Sequence, residues 1–184
     1  MVSYHLSIID VIKAWFFPLN TLSILVSIIL ILATFNAGKN AYRDMGMPMF
    51  PKSIIMLLVI LAIPVLLIGS ELGSGWQVKG DELLIKAPPS SVSIKLKSTT
   101  MALMSGYGSS QWTPESGTMG VRIAGLATGS FTLKNGKSAV VFSYFPGNKI
   151  VVLKYQDKYY EISYPGVPNL YKELKSQSVK DGLF

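Results

Sequence analysis

The chain has 184 residues, a formal net charge of +7, one histidine and no cysteine. Without cysteine, disulfides, thiol catalysis and thiolate metal sites are excluded, and His5 alone is a poor basis for a zinc site or a Ser-His-Asp triad. The basic residues are scattered rather than clustered, which argues against nucleic-acid binding. We therefore expect no metal ion, no cofactor and no nucleic-acid partner.

Residues 1–18 are predicted to form an N-terminal interfacial segment that ends in the aromatic run Trp15-Phe16-Phe17 and Pro18. Two interpretations stay open. The segment is either a short helix that lies flat on a membrane, broken by Pro18, or the beginning of a longer span that tolerates this proline. Asp10 is a candidate contact with a partner subunit, and a local pair with Lys13 is the alternative.

Two apolar stretches, Leu19–Phe35 and Ser53–Gly69, contain no charged side chain. Each has about the minimum length of a membrane-spanning helix, roughly 17–25 residues. We therefore predict a two-helix transmembrane hairpin over residues 19–70, with a kink at Pro64. Neither stretch carries an ionisable group of the kind that marks an ion or proton path, so anchoring is the expected role.

The connector between the two stretches carries Lys39, Arg43 and Lys52, whereas Glu71 follows the second stretch directly. Basic loops tend to stay in the cytoplasm. The pattern predicts a two-pass protein of the plasma membrane, with both termini and the soluble part outside the cytoplasm.

Residues 71–75 are predicted to be a linker, and residues 76–184 a single mainly-β domain. Alternation of apolar and polar residues around Val92 and Ile94 indicates a strand with one solvated face, and Asn135-Gly136 is a strong signal for a tight turn between strands. Residues 106–120, rich in Gly, Ser and Thr, are predicted to be a loop. Further strands are predicted over Ser138–Tyr144, Lys149–Tyr155 and Tyr159–Tyr164, followed by a helix that begins at Pro168.

The amino-acid sequence of this second half resembles that of a known family. The segments that carry the resemblance are Gly129 to Lys137, Ala139 to Phe142, Ile150 to Lys154, Tyr160 to Ser163 and the helix from Pro168. They are similar to the prokaryotic pleckstrin-homology-like domains that follow one or two membrane helices, and the resemblance covers roughly residues 76–176. It implies a partly open barrel of about seven strands, closed at one end by a C-terminal helix. The predicted fold class is therefore a membrane α-helical hairpin plus a mainly-β, pleckstrin-homology-like barrel.

Candidate site residues are few. Lys86, Lys95 and Lys97 partly match the basic residues with which many eukaryotic domains of this fold bind phosphoinositides, but the final arginine of that pattern is missing, and a plain exposed strand face is the favoured alternative. Arg122 is a candidate for holding an anionic ligand or a partner carboxylate, with a structural pair as the alternative. No pair of groups suited to acid–base catalysis is evident, so an enzyme is not expected.

The sequence thus predicts a non-enzymatic, membrane-anchored interaction module. In its most concrete form it is an accessory or structural subunit of a larger membrane protein complex, with the lipid bilayer and other membrane subunits as partners. The alternative is a membrane sensor or signalling module that binds a lipid or a peptide at the open end of the barrel.

Overall fold

The computed structural model describes residues 2–15, 69–105, 110–123, 125–146, 149–177 and 179–182, together with positions 32, 36, 39, 40 and 66. Within these ranges the protein is mainly β, with two sheets and short helices. The elements are β1 Val2–His5, α1 Ile8–Trp15, β2 Gly75–Lys79, β3 Glu82–Ala87, β4 Ser90–Lys95, a 3-10 turn Leu96–Ser98, β5 Thr100–Ser105, β6 Pro114–Ile123, β7 Leu126–Leu133, β8 Ser138–Tyr144, β9 Lys149–Tyr155, β10 Lys158–Ser163, α2 Val167–Ser176 and β11 Lys180–Asp181.

The first sheet is a four-stranded antiparallel meander in the order β1-β2-β3-β4. Strand β3 shows why it forms: Leu83, Ile85 and Ala87 are buried, and the alternate residues Leu84 and Lys86 are exposed. Such alternation places one face of the sheet on the core and the other in water.

The second sheet has seven strands in the order β11-β5-β9-β10-β8-β7-β6. Strand β10 lies near its middle, antiparallel to β9 and parallel to β8. One face packs against the first sheet in the main core, where Phe142 and Ile162 meet Leu83 and Ile85. The opposite face carries a second apolar cluster that includes Phe131, so β10 is buried on both sides.

Several predictions of local structure are confirmed. Strands β8 and β9 have the predicted bounds. At the predicted turn, Gly136 has a φ of +78° and donates its N–H to the Leu133 carbonyl at 2.8 Å. The C-terminal helix has Pro168 in its first turn and buries Val167, Leu170 and Leu174 along one face.

The loop predicted over residues 106–120 is wrong from Pro114 onward, whereas residues 110–113 do form turns and bends. Residues from Pro114 onward form β6, the edge strand of the second sheet, with register shifts at 114/116 and 117/119. Glycine and serine are poor strand formers, but an edge strand with bulges tolerates them. Gly117 also lies against the ring of Phe131, where a larger residue would need space.

Residues 2–15 belong to the packed β structure. Strand β1 pairs with β2, and the chain just beyond it is held by two backbone hydrogen bonds, Leu6 N–H to Ser74 at 2.8 Å and Gly73 N–H to Leu6 at 3.1 Å. Helix α1 buries Val11 and Ala14 completely. The two backbone hydrogen bonds hold residue 6 and residues 73–74 side by side.

The predicted fold class requires a correction. Along the described ranges, no helix has both the length and the apolar character needed to cross a membrane, and the structure is mainly β rather than a two-helix hairpin with an attached barrel. The stretches Leu19–Phe35 and Ser53–Gly69 and their connector lie outside the described residues, except at isolated positions and Gly69.

The two-pass plasma-membrane localisation, with its outward-facing termini, is corrected with it. Hydropathy and length alone supported the hairpin. They gave no indication that the preceding residues form a strand and a helix packed within a β structure. The pleckstrin-homology-like resemblance stays a prediction.

Gly75 is the position at which the β1–β2 pairing is most sensitive to substitution. Its φ is +153°, and a Cβ there would collide with the carbonyl oxygen of Tyr4. We expect Gly75→Ala to displace β1 and to lower the free energy of unfolding by about 3–4 kcal/mol, measured by urea denaturation. Gly80→Ala is the matched control, since Gly80 also has a positive φ but open space around it; it should cost only about 1–2 kcal/mol. Equal losses in the two variants would contradict the assigned pairing.

Candidate functional site

A polar stripe runs along one face of β10. Side chains alternate between the faces of a strand, so Tyr159, Glu161 and Ser163 share a face, while Tyr160 and Ile162 point into the main core. Glu161 is 1% exposed and Ser163 is 0% exposed. The stripe thus places a carboxyl group and a hydroxyl group inside the sheet, where Ser143 and Thr128 are also buried.

The neighbours of Glu161 across the sheet are apolar. Its register partners are Val152 on β9 and Val141 on β8, both completely buried. Neither carboxylate oxygen of Glu161 has a hydrogen-bond partner, and the Ser163 hydroxyl has none either. Burial penalises the charged form and raises the pKa of Glu161 well above the ordinary value of 4.5. The neutral acid is therefore favoured while no partner is bound.

The outer end of the stripe holds a cation. The Lys137 ammonium lies 4.5 Å from the ring centre of Tyr159 and 5.0 Å from that of Trp112, and it donates a hydrogen bond to the Tyr159 hydroxyl at 3.0 Å. The two rings lie 5.3 Å apart. Aromatic faces attract cations in this geometry, so an ammonium group is already bound two residues from Glu161.

The arrangement has no evident catalytic design. A general acid or base needs a neighbouring group with a complementary role, and Glu161 has no such partner in the described part of the chain. Nor do three or more His, Cys, Asp or Glu side chains come together there in a way that would hold a metal ion. The groups present, a carboxyl and a hydroxyl, can form hydrogen bonds, and the carboxylate can also pair with a cation.

A second buried carboxylate, Glu71, has a different environment. Its Oε2 accepts hydrogen bonds from Thr128 at 2.7 Å and from Ser74 at 3.1 Å, while Oε1 has no partner. Burial raises the pKa of Glu71, and the two hydroxyl donors oppose that rise. Because Thr128 belongs to β7, the contact ties residues 69–74 to the second sheet, which is a structural role.

Asp10 also acts within the fold. Its Oδ2 accepts the Ser7 N–H at 3.0 Å and the Ser7 hydroxyl at 2.7 Å, which caps α1,. Its Oδ1 accepts the Tyr144 hydroxyl at 3.1 Å and so ties the helix to β8. Burial acts to raise the pKa of Asp10, but the Ser7 and Tyr144 hydrogen bonds outweigh it and hold that pKa below its ordinary value.

The three candidate lysines are not brought to one place. Lys86 and Lys95 lie on the outward face of the first sheet, opposite Ser91 and Glu82 respectively. Four residue positions separate those pairs, roughly 13 Å at the rise of a strand. Lys97 follows in the 3-10 turn. A single compact phosphate site on these lysines is therefore not formed.

Arg122 lies exposed on the edge strand β6. Its Nη1 donates a hydrogen bond to the backbone carbonyl of Glu115 at 2.8 Å. The guanidinium group thus supports the irregular edge strand locally, in line with the structural alternative.

Glu161 was not among the predicted site residues. In the sequence it stands within Tyr160-Glu161-Ile162-Ser163, which has the alternation of a strand with one solvated face. Only the sheet order, with β10 between β8 and β9 and both faces covered, shows that the polar face is buried.

The chain matches no protein-family model. Comparison with characterised proteins gave no similar sequence, and comparison with solved structures gave no similar fold. Functional proposals therefore depend on the residues of this chain.

Stability should depend on pH through Glu161. A carboxyl group whose pKa is higher in the folded state than in the unfolded state contributes its full stabilisation at pH values below the unfolded-state pKa. That contribution is lost as the pH rises towards and through the folded-state pKa. We expect the unfolding free energy of the wild type to fall as pH rises above 4.5, and Glu161→Gln to reduce that fall, as measured by urea denaturation across pH. Ser163→Ala, which keeps the carboxyl group, should retain it. An identical pH profile for Glu161→Gln and the wild type would rule out this assignment.

Proposed function

We propose that the protein is a non-enzymatic interaction module, an accessory subunit of a larger protein complex, which contacts a partner protein through the outward face of α1. The observation that supports this is a cluster of exposed isoleucines. Ile8, Ile9 and Ile12 are 53%, 60% and 40% exposed, although burying the exposed part of each side chain would gain roughly 1 kcal/mol.

Helix α1 is apolar on two sides. Val11 and Ala14 face the protein core, whereas positions 8, 9 and 12 lie together on another face by helical spacing. Leu72, 39% exposed, lies beside Gly73, whose N–H binds the carbonyl of Leu6, two residues before the helix. Contiguous exposed apolar side chains are typical of an interaction surface.

The helix is held firmly in position. The Ser7–Asp10 cap fixes its first turn, the Tyr144 hydroxyl binds Asp10, and the Ala14 carbonyl accepts the Gly125 N–H at 3.2 Å. A pre-organised surface loses little conformational entropy on binding. Anchoring at both ends of α1 therefore favours a docking role.

Charge indicates the kind of partner. The chain has a net charge of +7, and Lys13 lies exposed on α1 close to the isoleucines. Complementary charge at the rim of an interface promotes association and specificity. We expect a partner protein with an apolar patch bordered by acidic side chains.

A second candidate function is a ligand-binding sensor or signalling module. It is favoured by the buried, unpartnered carboxyl group of Glu161 rather than by the surface of α1.

Site-specific photo-crosslinking of the full-length protein in its native cells tests the partner-protein proposal. A photoreactive residue at position 9 should crosslink to one partner, through a peptide that combines apolar and acidic residues. Position 84 is the matched control, because Leu84 is 41% exposed on the outward face of the first sheet. With the identified partner purified, Ile9→Glu should weaken binding by at least about tenfold.

Three outcomes would contradict the proposal. Crosslinks from position 9 to residues 16–68 of the same chain would mean that the protein covers this face itself. Crosslinks to a second copy would indicate self-association. The same set of proteins captured from positions 9 and 84 would show that the surface has no specific partner.

A further inference from the structure

We propose that Glu161 and Ser163 form the polar end of a binding site for a primary alkylammonium ion, a small molecule with one ammonium head and an apolar chain. The inference gives the second candidate function its ligand class and does not depend on the surface of α1. It is carried by unpartnered polar atoms inside a buried, largely apolar face of the sheet.

The number of acceptors matches the ligand. Two carboxylate oxygens of Glu161 and the Ser163 hydroxyl oxygen are buried without a hydrogen-bond partner. A primary ammonium group has three N–H donors and no acceptor. The two residues are two positions apart on one face of β10, about 6.6 Å along the strand. A single nitrogen between them can donate to both side chains.

A charged head is favoured over a neutral one. A buried carboxylate is strongly disfavoured unless it is protonated or paired with a cation. A neutral alcohol would satisfy a hydrogen bond but would leave the carboxyl group protonated. An ammonium ion supplies both the donors and the opposite charge, and such charge-assisted hydrogen bonds are stronger than neutral ones.

The surroundings suit an alkyl chain. Val141 and Val152 flank Glu161, and they belong to the apolar cluster on this face of the sheet. Ala127 and Ala139 in the same cluster are small and 5% exposed. The groups next to Glu161 are therefore aliphatic, whereas Ser163 has the buried Ser143 as its register partner on β8.

The outer end of the stripe already binds the same chemical group. The Lys137 ammonium lies over the rings of Trp112 and Tyr159, and Tyr159 is two residues from Glu161 on the same face. Aromatic faces and a carboxylate are the two protein groups that hold organic ammonium ions best. The stripe thus has aromatic faces at its surface end and a carboxyl group inside.

Isothermal titration of the full-length protein with n-hexylammonium chloride tests the proposal, with n-hexanol as the uncharged counterpart. We expect saturable binding of hexylammonium and binding of hexanol at least about tenfold weaker. Glu161→Gln should weaken hexylammonium binding by about 10- to 100-fold, and Ser163→Ala should weaken it less. Glu82→Gln, at an exposed glutamate on the other sheet, and Ile9→Glu, in the α1 surface, should leave it unchanged.

Near-UV circular dichroism checks that each variant keeps its packing, and Ser163→Ala serves as the second test if Glu161→Gln does not fold. Equal affinities for hexylammonium and hexanol would mean that Glu161 does not recognise the ammonium head, and would overturn the proposal. Absence of saturable hexylammonium binding, or unchanged binding in both site variants, would also overturn it. Because Ile9→Glu separates the two surfaces, failure here leaves the partner-protein proposal intact.

Discussion

The pairing of β1 with β2 is the contact on which the rest of the arrangement depends. It brings Leu6 and Ser74 within hydrogen-bonding distance although 67 intervening residues separate them in the sequence. Once β1 is in place, α1 follows directly and reaches β7 and β8, where Asp10 accepts the Tyr144 hydroxyl. The same pairing places Tyr4 in the core, stacked on Tyr164 with ring centres 4.7 Å apart. Burial raises the pKa of each of these tyrosines to about 12, because their hydroxyl groups are partly removed from water.

Two buried glutamates show how the same residue type serves different ends in this fold. Glu71 receives two hydroxyl donors, from Thr128 and Ser74, and so fixes the returning chain to the second sheet. Glu161 has no donor at all and lies between valines. Leaving a buried polar group unsatisfied costs about 1–3 kcal/mol, and more when it is charged. Glu161 is destabilising in this way and makes no hydrogen bond that supports the fold, so its carboxyl group is a candidate contact for a bound ligand.

Local structure could be predicted from the sequence where the deciding interactions are local. The Asn135-Gly136 turn, the bounds of β8 and β9, and the apolar face behind Pro168 are examples. The failures concern long-range pairing. Strand β1 pairs with β2, which lies far along the chain, and β6 forms at a sheet edge where bulges are tolerated. The predicted membrane hairpin depended on hydropathy and length alone. Glu161 was missed for the same reason, since its burial depends on the order of the strands.

Hydrogen exchange of the full-length protein, followed by mass spectrometry, tests most directly whether residues 2–15 are part of the folded unit. The account predicts that amides of Val2–His5 that pair with β2 exchange as slowly as those of β2 itself, and that the later amides of α1 are also protected,. Exchange of both segments at the rate of an unstructured peptide, while β2 and β3 remain protected, would contradict it. In that case neither the docked helix nor its exposed isoleucines could be retained as the basis of an interaction surface.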